Sequence, residues 1–231
     1  FFRAAMGELG GFAILPFLAT AIIEKKPKYF CFLYALLILV HPGVTLLATP
    51  LLLMAVVLMK RMRMFLFPFF LAIGLSAWYL MPALLESRFT LQAIHAEQVW
   101  ILSSFPKIWE LFISPWRWGF LFQGHYGELA YTVGIMHWIV VLVTFFLLYR
   151  KEIHRPIYNS VLFFLGVFFL GIYLLQPVSF PLWNSIAFLR KLQFPSRVLL
   201  YPIFSSAVLG GLIFSRIRKP MLLIVLFLTV S

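Results

Sequence analysis

The sequence predicts an all-α fold, a polytopic integral membrane helical bundle of about seven to eight transmembrane segments. Two observations carry that prediction. Of 231 residues, 63% are hydrophobic, 27 are Phe and only 11% are charged, and a mean hydropathy of +1.00 lies far above that of a water-soluble domain. The basic residues are also bunched: twelve of the nineteen fall in four knots, Lys25/Lys26/Lys28, Lys60/Arg61/Arg63, Arg150/Lys151/Arg155 and Arg216/Arg218/Lys219. The formal charge of +12 therefore points to membrane topology and anionic headgroups rather than to nucleic acid.

Taken in order, the apolar runs give spans at 9–23, 30–40, 44–59, 64–85, 131–149, 157–175 and 198–214, with an eighth beginning at 221 and stopping short at 231. The run 30–40 covers only roughly 17 Å of a hydrocarbon core near 30 Å. A single broken helix over 30–59 is the alternative, but it places the first two knots on opposite sides of the membrane. A hairpin turning at His41-Pro42-Gly43 keeps every knot on one side and is preferred. Lys and Arg collect in cytoplasmic loops, so the loops 86–130 and 176–197 are expected to be extracytoplasmic. The chain opens on Phe1 without an initiator Met and stops inside an apolar run, as an internal piece of a longer protein would. The single cysteine, Cys31, excludes an intramolecular disulfide.

The outer loops are rich in aromatic residues. Trp100, Trp109, Trp116 and Trp118 lie in the first, Pro-flanked aromatic stretches in the second. An interfacial aromatic belt accounts for any one of these Trp residues. Leu189, Leu192 and Phe194 with Arg190 and Lys191 suggest a short amphipathic helix on the surface.

Charges beside the spans are more informative. Arg3 and Glu8 precede or open the first span, His41 sits at the hairpin tip, Glu86 and Arg88 close the fourth span, and Arg197 opens the seventh at its first turn. Each alone reads as a helix-end charge that snorkels to water. On the predicted topology all six share one level, the outer interface, where cations and carboxylates together define a polar cavity. No Gly-rich phosphate loop or serine elbow is present, and His95/Glu97 and His125/Glu128 each offer only two metal ligands. No metal site and no cofactor is therefore assigned within the chain. Outer-face Arg and His suit a phosphate, and at a membrane surface that phosphate belongs to a lipid carrier.

Several short motifs also resemble one family. Arg3-Ala-Ala-Met-Gly-Glu8-Leu leading into Phe12-Ala-Ile-Leu-Pro16, then His41-Pro42, Trp78-Tyr-Leu-Met-Pro82-Ala-Leu-Leu-Glu86, Ser114-Pro-Trp116-Arg-Trp118-Gly119, Gly134-Ile-Met-His137-Trp138 and Gln193-Phe-Pro195-Ser-Arg197 occur in this order. They resemble bacterial multi-spanning membrane proteins named for a 6-pyruvoyl-tetrahydropterin-synthase-related domain, which look like the GT-C class of membrane glycosyltransferases. The resemblance implies a bacterial cytoplasmic membrane, membrane lipids as surroundings, and a polyprenyl-phosphate-linked sugar donor used on the outer face. On that reading Arg197, Arg3 and His41 face the lipid phosphate, and Glu8, Glu86, Arg88, Trp116 and Trp118 support them or line the acceptor side. GT-C enzymes use an acidic residue, usually Asp, on the first outer loop, and all seven acidic residues here are Glu. The working carboxylate is then expected upstream of Phe1, together with any divalent metal it binds. The alternative is a non-catalytic protein: a transporter or flippase of lipid-linked precursors, or a structural component of an envelope assembly. A transporter should carry broken helices, and the sequence suggests one only at His41-Pro42-Gly43.

Overall fold

The structure, a computed structural model, describes residues 6–86, 89, 105–112, 132–153, 155–186, 189, 192 and 195–214. These residues are all-helical, with turns and short 3-10 segments between helices and no strand among them. Seven longer helices carry the bundle: α1 (Met6–Ile23), α2 (Pro27–Val40), α3 (Pro42–Leu58), α4 (Met62–Leu75), α5 (Ala77–Leu85), α6 (Ile135–Tyr149) and α7 (Arg155–Leu174). A short α8 (Phe180–Ser185) and a final α9 (Leu200–Phe214) complete the described set. The predicted partial span beyond residue 220 and most of the loop 86–130 lie outside the described residues.

Two interactions at opposite ends of α1 fix the path of the first four helices. Near its start, Glu8 meets His41, the residue between α2 and α3. At its end, the Arg61 guanidinium donates from Nη1 to the carbonyls of Ile22 and Ile23, the latter at 2.8 Å. Helix α2 therefore climbs from the Arg61 end to the Glu8 end, and α3 returns. Pro42 suits the first position of α3 because its missing N–H would have had no helical partner, and His41 caps that helix by accepting the Val44 N–H on Nδ1 at 3.0 Å. Glycines let α1 lie close to this turn. A Cβ at Gly7 would stand 2.9 Å from the Val40 carbonyl, and one at Gly11 would stand 3.0 Å from Val44. On the other side of α2, Phe30 and Tyr34 pack against Phe65 and Phe69 of α4.

Helices α7 and α9 form a second antiparallel pair. Gly171, near the end of α7, faces Tyr201 and Pro202 at the start of α9, and Phe164 meets Phe204 further along both. Helix α6 joins through His137, whose Nδ1 lies 2.7 Å from Ser206 Oγ. The two halves are stitched where Tyr201 donates its hydroxyl to the Leu47 carbonyl at 3.1 Å. Beyond the end of α7, Trp183 is buried with its ring against Phe105, and Leu111 and Leu192 are buried as well. Trp183 belongs to this interior and donates to the Leu174 carbonyl, so it is no part of an interfacial belt. Leu189 and Leu192 are likewise buried inward rather than spread on a surface.

The single span expected over 64–85 is not continuous. Helices α4 and α5 are bent by 65° at Ser76, so His41-Pro42-Gly43 is not the one break in the apolar runs. The buried Ser76 hydroxyl reaches the Ala35 carbonyl of α2 at 3.3 Å, and the neighbouring Gly74 removes a side chain from the bend. By length and apolarity, α1 and residues 157–174 of α7 suffice to cross a membrane, and α4 with α5 makes a third if the bent pair counts as one. The other apolar helices are shorter. Large apolar side chains face outward: Phe67 and Phe70 of α4 are 73% and 61% exposed, where an aqueous fold would place polar residues.

Candidate functional site

Three elements distant in sequence bring Glu8, His41 and Arg197 together. Helix α1 supplies Glu8 from its first turn, the α2–α3 turn supplies His41, and a 3-10 segment, Pro195–Leu199, supplies Arg197 just ahead of α9. Arg197 Nε donates to Glu8 Oε1 at 3.2 Å, and its Nη1 donates to the Leu192 carbonyl at 2.7 Å. The same Glu8 oxygen lies 3.8 Å from His41 Nε2. All three side chains are about one-fifth exposed, enough to reach a ligand but too little for water to screen them fully.

The hydrogen bonds assign the histidine proton. Because Nδ1 accepts from the Val44 N–H, the neutral ring carries its hydrogen on Nε2, which faces Glu8. Glu8 therefore has a donor on each side. A Cβ at Gly43 would stand 3.5 Å from Arg197 Nη1 and 3.0 Å from the His41 ring, so the absent side chain leaves the guanidinium room over the turn. One carboxylate, one guanidinium and one neutral imidazole make a nearly neutral set, with Glu8 in the position that an anionic ligand of Arg197 would compete for.

The remaining sequence candidates divide in two. Glu86 is exposed after α5 and forms no ion pair with a described residue. Arg3, Arg88, Trp116 and Trp118 lie outside the described residues, as do His95, Glu97, His125 and Glu128. No group of three or more His, Cys, Asp or Glu able to hold a metal ion occurs among the described residues.

Sequence reasoning did not single out a second polar contact. Ser206 Oγ lies 2.6 Å from the Pro202 carbonyl, which can only accept, so the serine hydrogen points there and His137 Nδ1–H donates to Ser206. The His137 proton is then on Nδ1, the opposite tautomer to His41. Beside it, Trp138 Nε1 is buried without a hydrogen-bond partner among the described residues, its ring stacked on Phe112 with centroids 4.4 Å apart. The signal for this contact was available in Gly134-Ile-Met-His137-Trp138, where a histidine enters an apolar run.

No protein-family model, curated protein or solved structure matches the chain.

Proposed function

We propose that this chain is the membrane-embedded part of a GT-C-like glycosyltransferase, a bundle of seven to eight spans whose outer end binds the phosphate of a polyprenyl-phosphate-linked sugar. The observation that carries the reading is the Glu8–His41–Arg197 cluster at the end of the bundle opposite the described members of the first three basic knots. Lys25 and Lys26 follow α1, Arg61 is pinned to that same end, and Arg155 begins α7 about 24 Å of helix rise before Gly171. With basic loops in the cytoplasm, the cluster faces the outer leaflet of a bacterial cytoplasmic membrane. Short helices such as α2 fit through local thinning of the bilayer and through packing against longer neighbours.

In this reading Arg197 grips the lipid phosphate as it leaves with growing negative charge, and a planar fork of donors does this better than an ammonium. Glu8 and the Leu192 carbonyl hold the guanidinium in place, with His41 on the other side of the same carboxylate. The acceptor hydroxyl is deprotonated by a carboxylate elsewhere in the whole protein. Arg197→Lys should weaken binding of a polyprenyl phosphate by about 1–3 kcal/mol without changing insertion or yield, measured by titration of the full chain in zwitterionic nanodiscs. Unchanged binding by both the Lys and Ala variants would reduce Arg197 to an interfacial anchor and remove the main support for this function.

The bend at Ser76 favours a second reading, a flippase for lipid-linked precursors, since transporters build their sites at interrupted helices. Helix α4 rises about 21 Å before the bend, past the middle of a core near 30 Å, whereas transporter sites lie near the midplane. Sugar transfer without lipid translocation in proteoliposomes supports the transferase; translocation without transfer supports the flippase.

A further inference from the structure

We propose that the basic end of the bundle is a binding surface for anionic phospholipid headgroups, built on lysines held in left-handed backbone conformation at helix ends. Lys25, Lys60 and Lys151 have φ of 58°, 54° and 58°, and they are the non-glycine residues with positive φ among those described. Each ends a helix in the same way. The Lys25 N–H reaches the Ile22 carbonyl and the Lys26 N–H that of Ala21; Lys60 and Arg61 repeat this on Val57 and Val56, Lys151 and Glu152 on Leu148 and Leu147. This is the paired closure in which glycine usually takes the left-handed position, because a Cβ there is strained. All three lysines are exposed, so no packing compensates for the strain. What a lysine adds over glycine here is a flexible cation.

A cation at a helix end also offsets the partial negative charge of the last carbonyls. At α1 that need is already met, since Arg61 occupies the carbonyls of Ile22 and Ile23. The same contact makes the first two knots one surface, with Lys25 and Lys60 beside each other's helix ends. Lys26 is partly compensated: its hydrogen bond to Glu24 at 2.6 Å raises its pKa above the usual lysine value and pairs the charge. Lys25, Lys28, Lys60 and Arg63 form no ion pair with a described residue. An excess of cations at the headgroup level fits anionic phospholipid phosphates.

The inference rests on the membrane reading above, and the test separates the two. The full chain is placed in nanodiscs of phosphatidylcholine with and without phosphatidylglycerol, and its unfolding temperature and bound phosphatidylglycerol are measured. For the Lys25→Gly/Lys60→Gly/Lys151→Gly variant, apparent affinity for phosphatidylglycerol should fall about fivefold per lysine, and the lipid-dependent rise in unfolding temperature should shrink with it. In phosphatidylcholine alone the variant should unfold no earlier than the parent, because the glycines relieve strain. The triple Arg variant should keep the response to phosphatidylglycerol. An unchanged response in the glycine variant, or an equal loss of stability in both lipids, overturns the proposal. Failure of the parent chain to resist carbonate extraction from membranes would instead contradict membrane embedding.

Discussion

One oxygen of Glu8 faces both Arg197 and His41, so the consequences of changing each residue differ. Glu8→Gln removes the counter-charge from a guanidinium that is only partly exposed. The unfolding free energy should fall by about 1–3 kcal/mol, while affinity for inorganic phosphate rises because the competing carboxylate is gone. Thermal unfolding checks the first half of that expectation, and calorimetric titration with phosphate the second. His41 acts as a cap, which His41→Ala abolishes at a cost of about 0.5–2 kcal/mol, whereas His41→Asn restores an acceptor for the Val44 N–H and most of the stability. These residues stood out in the sequence as polar groups at the ends of apolar runs. The predicted topology set them at one level, but the contact itself was not legible, because Glu8 and Arg197 are 189 positions apart and nothing local to either encodes it. Gly7 and Gly11 gave a partial sign, since small residues four apart on an apolar helix mark a close approach.

Helices were readable from apolar run length, and their breaks were less so. Pro16, Pro50, Pro68 and Pro82 all lie inside helices that continue through them. The 65° bend falls at Ser76, where the hydroxyl reaches a carbonyl on α2 and the neighbouring Gly74 was the one local sign of it. Arg197 shows the same limit, since it lies in a 3-10 segment ahead of α9 rather than in the first turn of the helix. The close pairing of α7 and α9 makes a specific prediction. A Cβ at Gly171 would meet Pro202 Cδ at 2.5 Å and Tyr201 Cβ at 2.8 Å, whereas one at Gly166 on the same helix meets nothing within 4 Å. Gly171→Ala should therefore destabilise the bundle by about 1–3 kcal/mol through overpacking. Gly166→Ala should be tolerated, and thermal unfolding of the two variants side by side measures the difference.

At the scale of the molecule, charge is divided between two ends. Described members of three basic knots sit at one end, two of them tied together through Arg61, and the Glu8–His41–Arg197 cluster sits at the other. The basic knots were visible in the sequence, and the alternation of spans set them opposite the polar residues; which side chains meet at each end depends on how the antiparallel helices pack. That separation is what gives the proposed function its direction, since a site for a lipid-linked donor must lie on the face where the donor is presented. The most direct test introduces single cysteines at Val178, which follows α7 at the cluster end, and at Met62, which begins α4 at the basic end, in a Cys31→Ala background. In intact cells a membrane-impermeant thiol reagent should label the Val178→Cys protein and spare Met62→Cys until the membrane is permeabilised. Labelling of Met62→Cys and protection of Val178→Cys would put the cluster in the cytoplasm and contradict the account.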